Sequence, residues 1–322
     1  MNKLLTVLLV CAGCVLAGAD GRKVNCTTYP VWLITREITA GVKNVRTELM
    51  IPAGTGCPHE YVLTPADMRK LGAKNLIVVR NGLGLDDFVL RPLEKMNPKA
   101  PVIDSCASLA VLHSECGCHH DGHDGHNGHD EHDGHQHGHG GHDEHDAHHH
   151  HHANPHLFAS PDTALGMARN IAAGLCKADP ENAEQYRKNV ERFAEELGQL
   201  VSETEALKPL VKGKAVAVQH GVFDYLARLL GLEIAAEIRG EGTAPSASEM
   251  RKLVKVMRTR RVGVIFTEPQ YSAQTAETLA RECGISVCRL DPLASGPSDP
   301  PPGYYLKTMR ENLKKIRSVL VK

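Results

Sequence analysis

Three histidines and one aspartate stand where a folded chain can bring metal-binding groups together. His59 follows the extended run 46–51 across a turn-rich loop, Pro52-Ala53-Gly54-Thr55-Gly56. His220 comes directly after the apolar stretch Ala215-Val216-Ala217-Val218, and Asp291 directly after Ser286-Val287-Cys288-Arg289-Leu290. His156 lies just ahead of Ser160-Pro161, a helix start signal. Imidazole and carboxylate are both metal ligands at neutral pH. Singly, each has an ordinary alternative. A loop histidine is usually solvated or caps a helix, and Asp291-Pro292 also reads as a turn.

A second feature points to the same chemistry. Cys116-Gly117-Cys118-His119-His120 opens a tract of Asp-Gly-His and Gly-His units. It carries His123, His126, His129, His132, His135, His137, His139, His142 and His145, then the run His148, His149, His150, His151 and His152, and closes on Asn154-Pro155-His156. Mixed His, Asp and Cys suit zinc and other borderline metals. Almost no apolar side chain occurs between His119 and Ala153, so the tract supplies no core and is expected to be a solvated loop that collects metal. An arbitrary low-complexity linker does not account for so dense a mixture of histidine and aspartate. His113, in an apolar segment, is left out of the set.

The elements that must position these residues alternate. Strands are expected at 24–29, 46–51, 75–79, 102–104, 215–218, 262–266 and 285–290, with helices at 30–40, 65–71, from Pro161 onward, 181–205, 223–230, to about Arg258 after the capping box Ser246-Ala247-Ser248-Glu249, at 273–283, and finally from Tyr305. Alternating strands and helices imply parallel sheets flanked by helices. The pattern predicts α/β architecture: a signal segment 1–19, a first lobe 20–178 containing the His-rich loop 116–153, a long rigid connecting helix 179–207, and a second lobe 208–322. In such sheets, ligands bind beyond the carboxyl ends of the strands, and the candidate groups fall at strand ends or, for His156, at a helix start.

Composition narrows the function. A formal net charge of -1 with neutral histidines argues against nucleic acid and anionic membrane, and an aromatic content of 4% against stacking on sugars or bases. Met1-Asn2-Lys3, the apolar run 4–10 and Ala17-Gly18-Ala19 read as a cleaved secretory signal, hence a periplasmic protein. Lipidation at Cys14 is the less favoured alternative, because Cys11 three residues earlier is atypical for that motif. Export permits disulfides, and Cys283 with Cys288 is the expected pair.

The sequence resembles the solute-binding proteins of metal-importing ABC transporters, cluster A-I, which includes the high-affinity zinc-uptake receptors. The matching residues are Pro58-His59-Glu60-Tyr61 with Thr64-Pro65, Asn81-Gly82-Leu83-Gly84-Leu85, Asn154-Pro155-His156, Gln219-His220-Gly221-Val222-Phe223-Asp224-Tyr225, Thr267-Glu268-Pro269-Gln270 and Leu290-Asp291-Pro292-Leu293. They cover nearly all of the mature chain, in order. The resemblance implies two α/β lobes joined by a rigid helix, with one metal between them held by His59, His156, His220 and Asp291; the leading reading is a monomeric Zn2+ receptor that delivers its ion to an ABC permease. Family members often carry Trp and Asp where this chain has Phe158-Ala159-Ser160-Pro161, a departure that affects packing more than coordination. The segment around His220 otherwise resembles manganese-type receptors, which carry Glu there. Three nitrogens and a carboxylate suit tetrahedral zinc, whereas manganese prefers more oxygen. Glu60 and Glu268 are expected to orient the imidazoles.

Other readings are a receptor for manganese, iron or nickel, and a storage protein whose tract is the whole function. A zinc hydrolase is disfavoured. Catalytic zinc keeps an open position, the expected set has four protein ligands, and no H-E-x-x-H motif occurs.

Overall fold

The computed structural model describes residues 21–56, 58, 61–113, 153–238 and 245–321. Two four-stranded parallel sheets are formed. The first contains β1 (Arg22–Cys26), β2 (Val45–Leu49), β3 (Leu76–Arg80) and β4 (Val102–Asp104) in the order β2-β1-β3-β4. The second contains β5 (Ala215–Val218), β6 (Glu233–Glu237), β7 (Val264–Thr267) and β8 (Ser286–Arg289) in the order β6-β5-β7-β8. In each, the first strand pairs on both sides, Val24 with Thr47 and Ile77, and Val216 with Ile234 and Val264. The winding direction therefore reverses beside β1 and beside β5, which opens a crevice at the carboxyl ends. β3 and β5 are buried throughout, as continuous apolar runs in helix-covered parallel sheets should be.

The helices are α1 (Tyr29–Thr39), α2 (Pro65–Leu71), α3 (Leu90–Met96), α4 (Pro161–Ala178), α5 (Ala183–Val211), α6 (Asp224–Leu230), α7 (Ala247–Thr259), α8 (Gln274–Cys283) and α9 (Tyr304–Leu320). One core cluster runs from Val24 and Ile34 through Met167, Phe193 and Leu197 to Val216, Phe266 and Ile316, so the lobes share it. The 29-residue α5 is its spine, burying Tyr186, Phe193, Leu197, Leu200, Leu207 and Val211. It continues beyond the expected stop at 205 and through Pro209. Thr204, Leu207 and Val211 are buried on its inner side, while Pro209 forfeits one backbone bond in the last turn, where the cost is small. Smaller clusters back the outer face of each sheet: Met50, Leu71, Val78 and Leu93 in the first, Ala217, Met257, Ile265 and Leu279 in the second.

Two elements were not anticipated. α3 carries Pro92 in its first turn, where a missing N–H is tolerated. β6 reads Glu-Ile-Ala-Ala-Glu without alternation and forms as an edge strand on β5, with a register shift between Val216 and Ala217.

The expected disulfide is corrected. Cys283 and Cys288 are both free thiols. Side chains alternate across a strand. Cys288 faces the shared core, whereas Cys283, at the end of α8, packs with Ile285 and Val287 in the outer cluster. The two sulfurs belong to opposite faces of the sheet.

The lobes touch along a polar seam. The Tyr29 hydroxyl donates to the Pro297 carbonyl at 3.0 Å and the Gly296 N–H to the Ala53 carbonyl at 2.9 Å. Arg36 donates to the Pro300 carbonyl at 3.0 Å, and the Gly303 N–H to Glu37 Oε1 at 3.0 Å. No helix among the described residues is long and apolar enough to cross a membrane.

Candidate metal centre

Two buried imidazoles meet where the lobes face one another. The Gln219 N–H extends the β5 ladder by donating to the Phe266 carbonyl at 3.0 Å, so the chain enters His220 in extended conformation at a strand's carboxyl end. From the other lobe, His156 precedes the short turn Leu157–Ala159 that leads into α4. The ring centroids lie 4.7 Å apart at an interplanar angle of 83°. Both residues are buried, His156 at 0% and His220 at 7% exposure. Neutral imidazole is the form that ligates metal.

His156 is held from behind by Asn154. Asn154 Oδ1 accepts from the His156 backbone N–H at 2.9 Å and lies 2.8 Å from His156 Nδ1. Asn81 Nδ2 donates to the Pro155 carbonyl at 3.0 Å, which anchors this segment to the loop after β3. That loop is itself braced by Asp86, which accepts from the N–H groups of Asn81 at 2.6 Å and Gly82 at 3.0 Å and from the Thr27 hydroxyl. Burial pushes the Asp86 carboxyl above its ordinary range, against the pull of those hydrogen bonds and of Arg80. Gly82 has φ +92, and a Cβ there would lie 2.2 Å from the Asp104 carboxylate, so only glycine fits.

His220 has a carboxylate neighbour instead. Glu268, fully buried just beyond β7, places Oε1 3.7 Å from His220 Nδ1. That exceeds hydrogen-bond length but remains within ion-pair reach. Gln270 donates to Glu268 Oε2 at 2.6 Å, and the Glu268 N–H donates to Gln219 Oε1 at 3.2 Å.

Asp291 follows β8. Its N–H donates to Asn312 Oδ1 at 2.9 Å, and its Oδ1 accepts from the Leu293 N–H at 2.8 Å. Burial raises its carboxyl above the usual range, with the Leu293 N–H and Lys315 opposing. It lines a groove of about 210 Å³ with Tyr304, Lys307 and Lys315. Among the described residues, no group of three or more His, Cys, Asp or Glu side chains is gathered as a metal cluster. His59, Glu60 and the histidines from His119 to His152 lie outside the described residues.

The two ends of the tract do lie within them. His113 and Ala153 form an isolated antiparallel bridge, and the Asn154 N–H donates to the Leu112 carbonyl at 2.7 Å. The chain therefore leaves the described fold at His113 and re-enters it beside that residue at Ala153, three residues ahead of His156. The sequence reading assigned no role to Asn154, Asn81 or Tyr225. The one local signal was the i, i+2 spacing of Asn154 and His156.

Two doubly wound parallel lobes on a shared helical spine, with two buried imidazoles meeting between them, have the architecture of the cluster A solute-binding proteins. Residues 24–319 match the family model described as "ZnuA: Zinc-uptake complex component A periplasmic", and the chain belongs to that family. It is 29% identical over 313 residues to the high-affinity zinc uptake system protein ZnuA of Bacillus subtilis, covering 95% of this chain and 91% of that protein. It is 28% identical over 307 residues to the zinc-binding lipoprotein AdcA of Streptococcus pneumoniae, covering 93% of this chain. The chain spans only 56% of the length of AdcA. Among solved structures it is similar to a crystal structure of ZnuA, with TM-score 0.72 and 25% identity, covering 94% of this chain and 100% of the other. It is also similar to FpvC of Pseudomonas aeruginosa in complex with Mn2+, with TM-score 0.72 and 26% identity, covering 93% and 98%.

Proposed function

We propose that the protein captures Zn2+ outside the cytoplasmic membrane, holds one ion between its lobes through His59, His156, His220 and Asp291, and passes it to the membrane permease of an ABC importer. The observation that carries this reading is the meeting of two buried imidazoles, one from each lobe, at the ends of the strands. Nitrogen-rich ligation with one carboxylate favours zinc over metals that prefer oxygen. Glu268 lies where it can orient His220, and Glu60 is assigned the same part for His59. The histidine tract supplies many weak, fast sites that raise the local metal concentration beside the cleft. The signal-like residues 1–19 support a periplasmic receptor, with a lipid anchor at Cys14 as the alternative. Manganese or nickel is the second reading for the cargo, favoured by the likeness to FpvC structures that hold Mn2+ and Ni2+.

Calorimetric zinc titration of the full chain and of a chain lacking 118–152 tests the division of labour. The deletion is expected to lower the stoichiometry and leave one tight site. Loss of the tight site on deletion would make the tract the whole function. In both chains the tight site is expected to weaken below about pH 6, since protons compete for neutral imidazole. The raised Asp291 carboxyl adds proton competition at higher pH than an exposed aspartate would. Titration against Mn2+ and Ni2+ in competition ranks the cargo.

A further inference from the structure

Asn154 is fully buried and makes four side-chain hydrogen bonds whose directions permit one orientation. Its Nδ2 lies 2.8 Å from the Gly221 carbonyl and 2.9 Å from Asp224 Oδ2. Both are acceptors, so the amide NH2 must face them and the amide oxygen must face His156. That oxygen carries no hydrogen and sits 2.8 Å from His156 Nδ1, so Nδ1 carries the proton. The lone pair then belongs to Nε2, the nitrogen left free to bind a metal.

The same amide reaches across the lobes. Gly221 is the residue after His220, and Asp224 opens α6 in the second lobe. Tyr225, also on α6 and fully buried, adds a second tie. Its hydroxyl donates to the Asn154 carbonyl at 2.7 Å and accepts from the Leu112 N–H at 3.0 Å. One phenol on the second lobe therefore grips both chain ends at the root of the histidine-rich segment.

The geometry points to a latch: Asn154 and Tyr225 are positioning residues that present His156 in its metal-ready tautomer and pin it, with the root of the tract, to the second lobe beside His220, so that metal leaves only when this clasp opens. The inference rests on His156 and His220 being ligands. It predicts that the two ends of the Asn154 amide have separable effects. The oxygen sets the tautomer through a contact within one segment, and the NH2 sets release through a contact between lobes.

Asn154→Asp separates them. A carboxylate keeps the acceptor for His156 Nδ1 but faces the Asp224 carboxylate without a donor. Nitrogen-15 imidazole spectra of the zinc-free chain read the tautomer, and stopped-flow transfer of Zn2+ to excess chelator reads release. The wild-type chain is expected to show His156 protonated at Nδ1. N154D is expected to keep that tautomer yet release zinc about tenfold faster or more, the range for partners of metal ligands. Adding Asp224→Asn restores a donor and is expected to recover a large part of the loss. Tyr225→Phe is expected to speed release severalfold with the tautomer unchanged. Release from N154D at the wild-type rate, no recovery in the double variant, or an Nε2-protonated His156 in the wild type would each overturn the latch. A wild-type chain that holds no zinc tightly would instead overturn the metal reading itself.

Discussion

In the first lobe, the chain reaches His156 from a buried asparagine, whose neutral amide oxygen lies 2.8 Å from the ring Nδ1. In the second, His220 stands two residues past β5 with the Glu268 carboxylate 3.7 Å from its Nδ1. The sheets have the same strand order, β2-β1-β3-β4 and β6-β5-β7-β8, yet the supports behind the two imidazoles differ in charge. An amide oxygen beside Nδ1 orients the ring through a hydrogen bond. Glu268 instead sets a carboxylate within ion-pair reach of His220 Nδ1, where it can orient the ring. The cleft thus pairs a ring backed by an amide with a ring backed by a carboxylate.

That contrast is tested most strongly by removing each ring. His156→Ala and His220→Ala are each expected to weaken the tight site by about a thousandfold, roughly 4 kcal/mol, while weak binding by the tract persists in calorimetry. Unchanged tight binding in either variant would strike that residue from the ligand set. The next effect belongs to the first lobe alone. Gly82→Ala forces a left-handed backbone on alanine and drives its Cβ into Asp104, and is expected to cost about 1–3 kcal/mol in denaturant unfolding. A stability within error of wild type would show that the loop under Pro155 and His156 yields freely. The smallest effect concerns the seam. A Cβ at Gly296 would lie 2.5 Å from the Tyr29 hydroxyl, so Gly296→Ala should displace Tyr29 from Pro297. Zinc release is expected to quicken severalfold with little change in unfolding midpoint. A lowered midpoint with unchanged release would place the Tyr29 contact in folding rather than closure.

Much of this was legible in the sequence, for identifiable reasons. α2 was read residue for residue from Thr64-Pro65, and the cap is present in full, Thr64 and Asp67 bonding reciprocally. α7 follows Ser246 and Glu249 in the same way. His220 was placed because Ala215–Val218 is an unbroken buried run whose end is unmistakable. Local signals failed where tertiary contact decides. β6 exists because β5 offers an edge, and α5 outruns its expected end because Leu207 and Val211 reach the core. The proximity of Cys283 and Cys288 in sequence misled, because it says nothing about which face of β8 a sulfur takes. The part played by Asn154 was invisible for another reason. Its partners Gly221 and Asp224 are remote along the chain, and polar complementarity of that kind leaves no periodicity to read.

The most direct test of the account is an anomalous-scattering map from crystals of the full chain grown with one equivalent of zinc. The account predicts one dominant peak between the lobes, about 2.0–2.1 Å from a ring nitrogen of both His156 and His220. A map with its strong peaks confined to the histidine-rich segment, and none between those two rings, would contradict it.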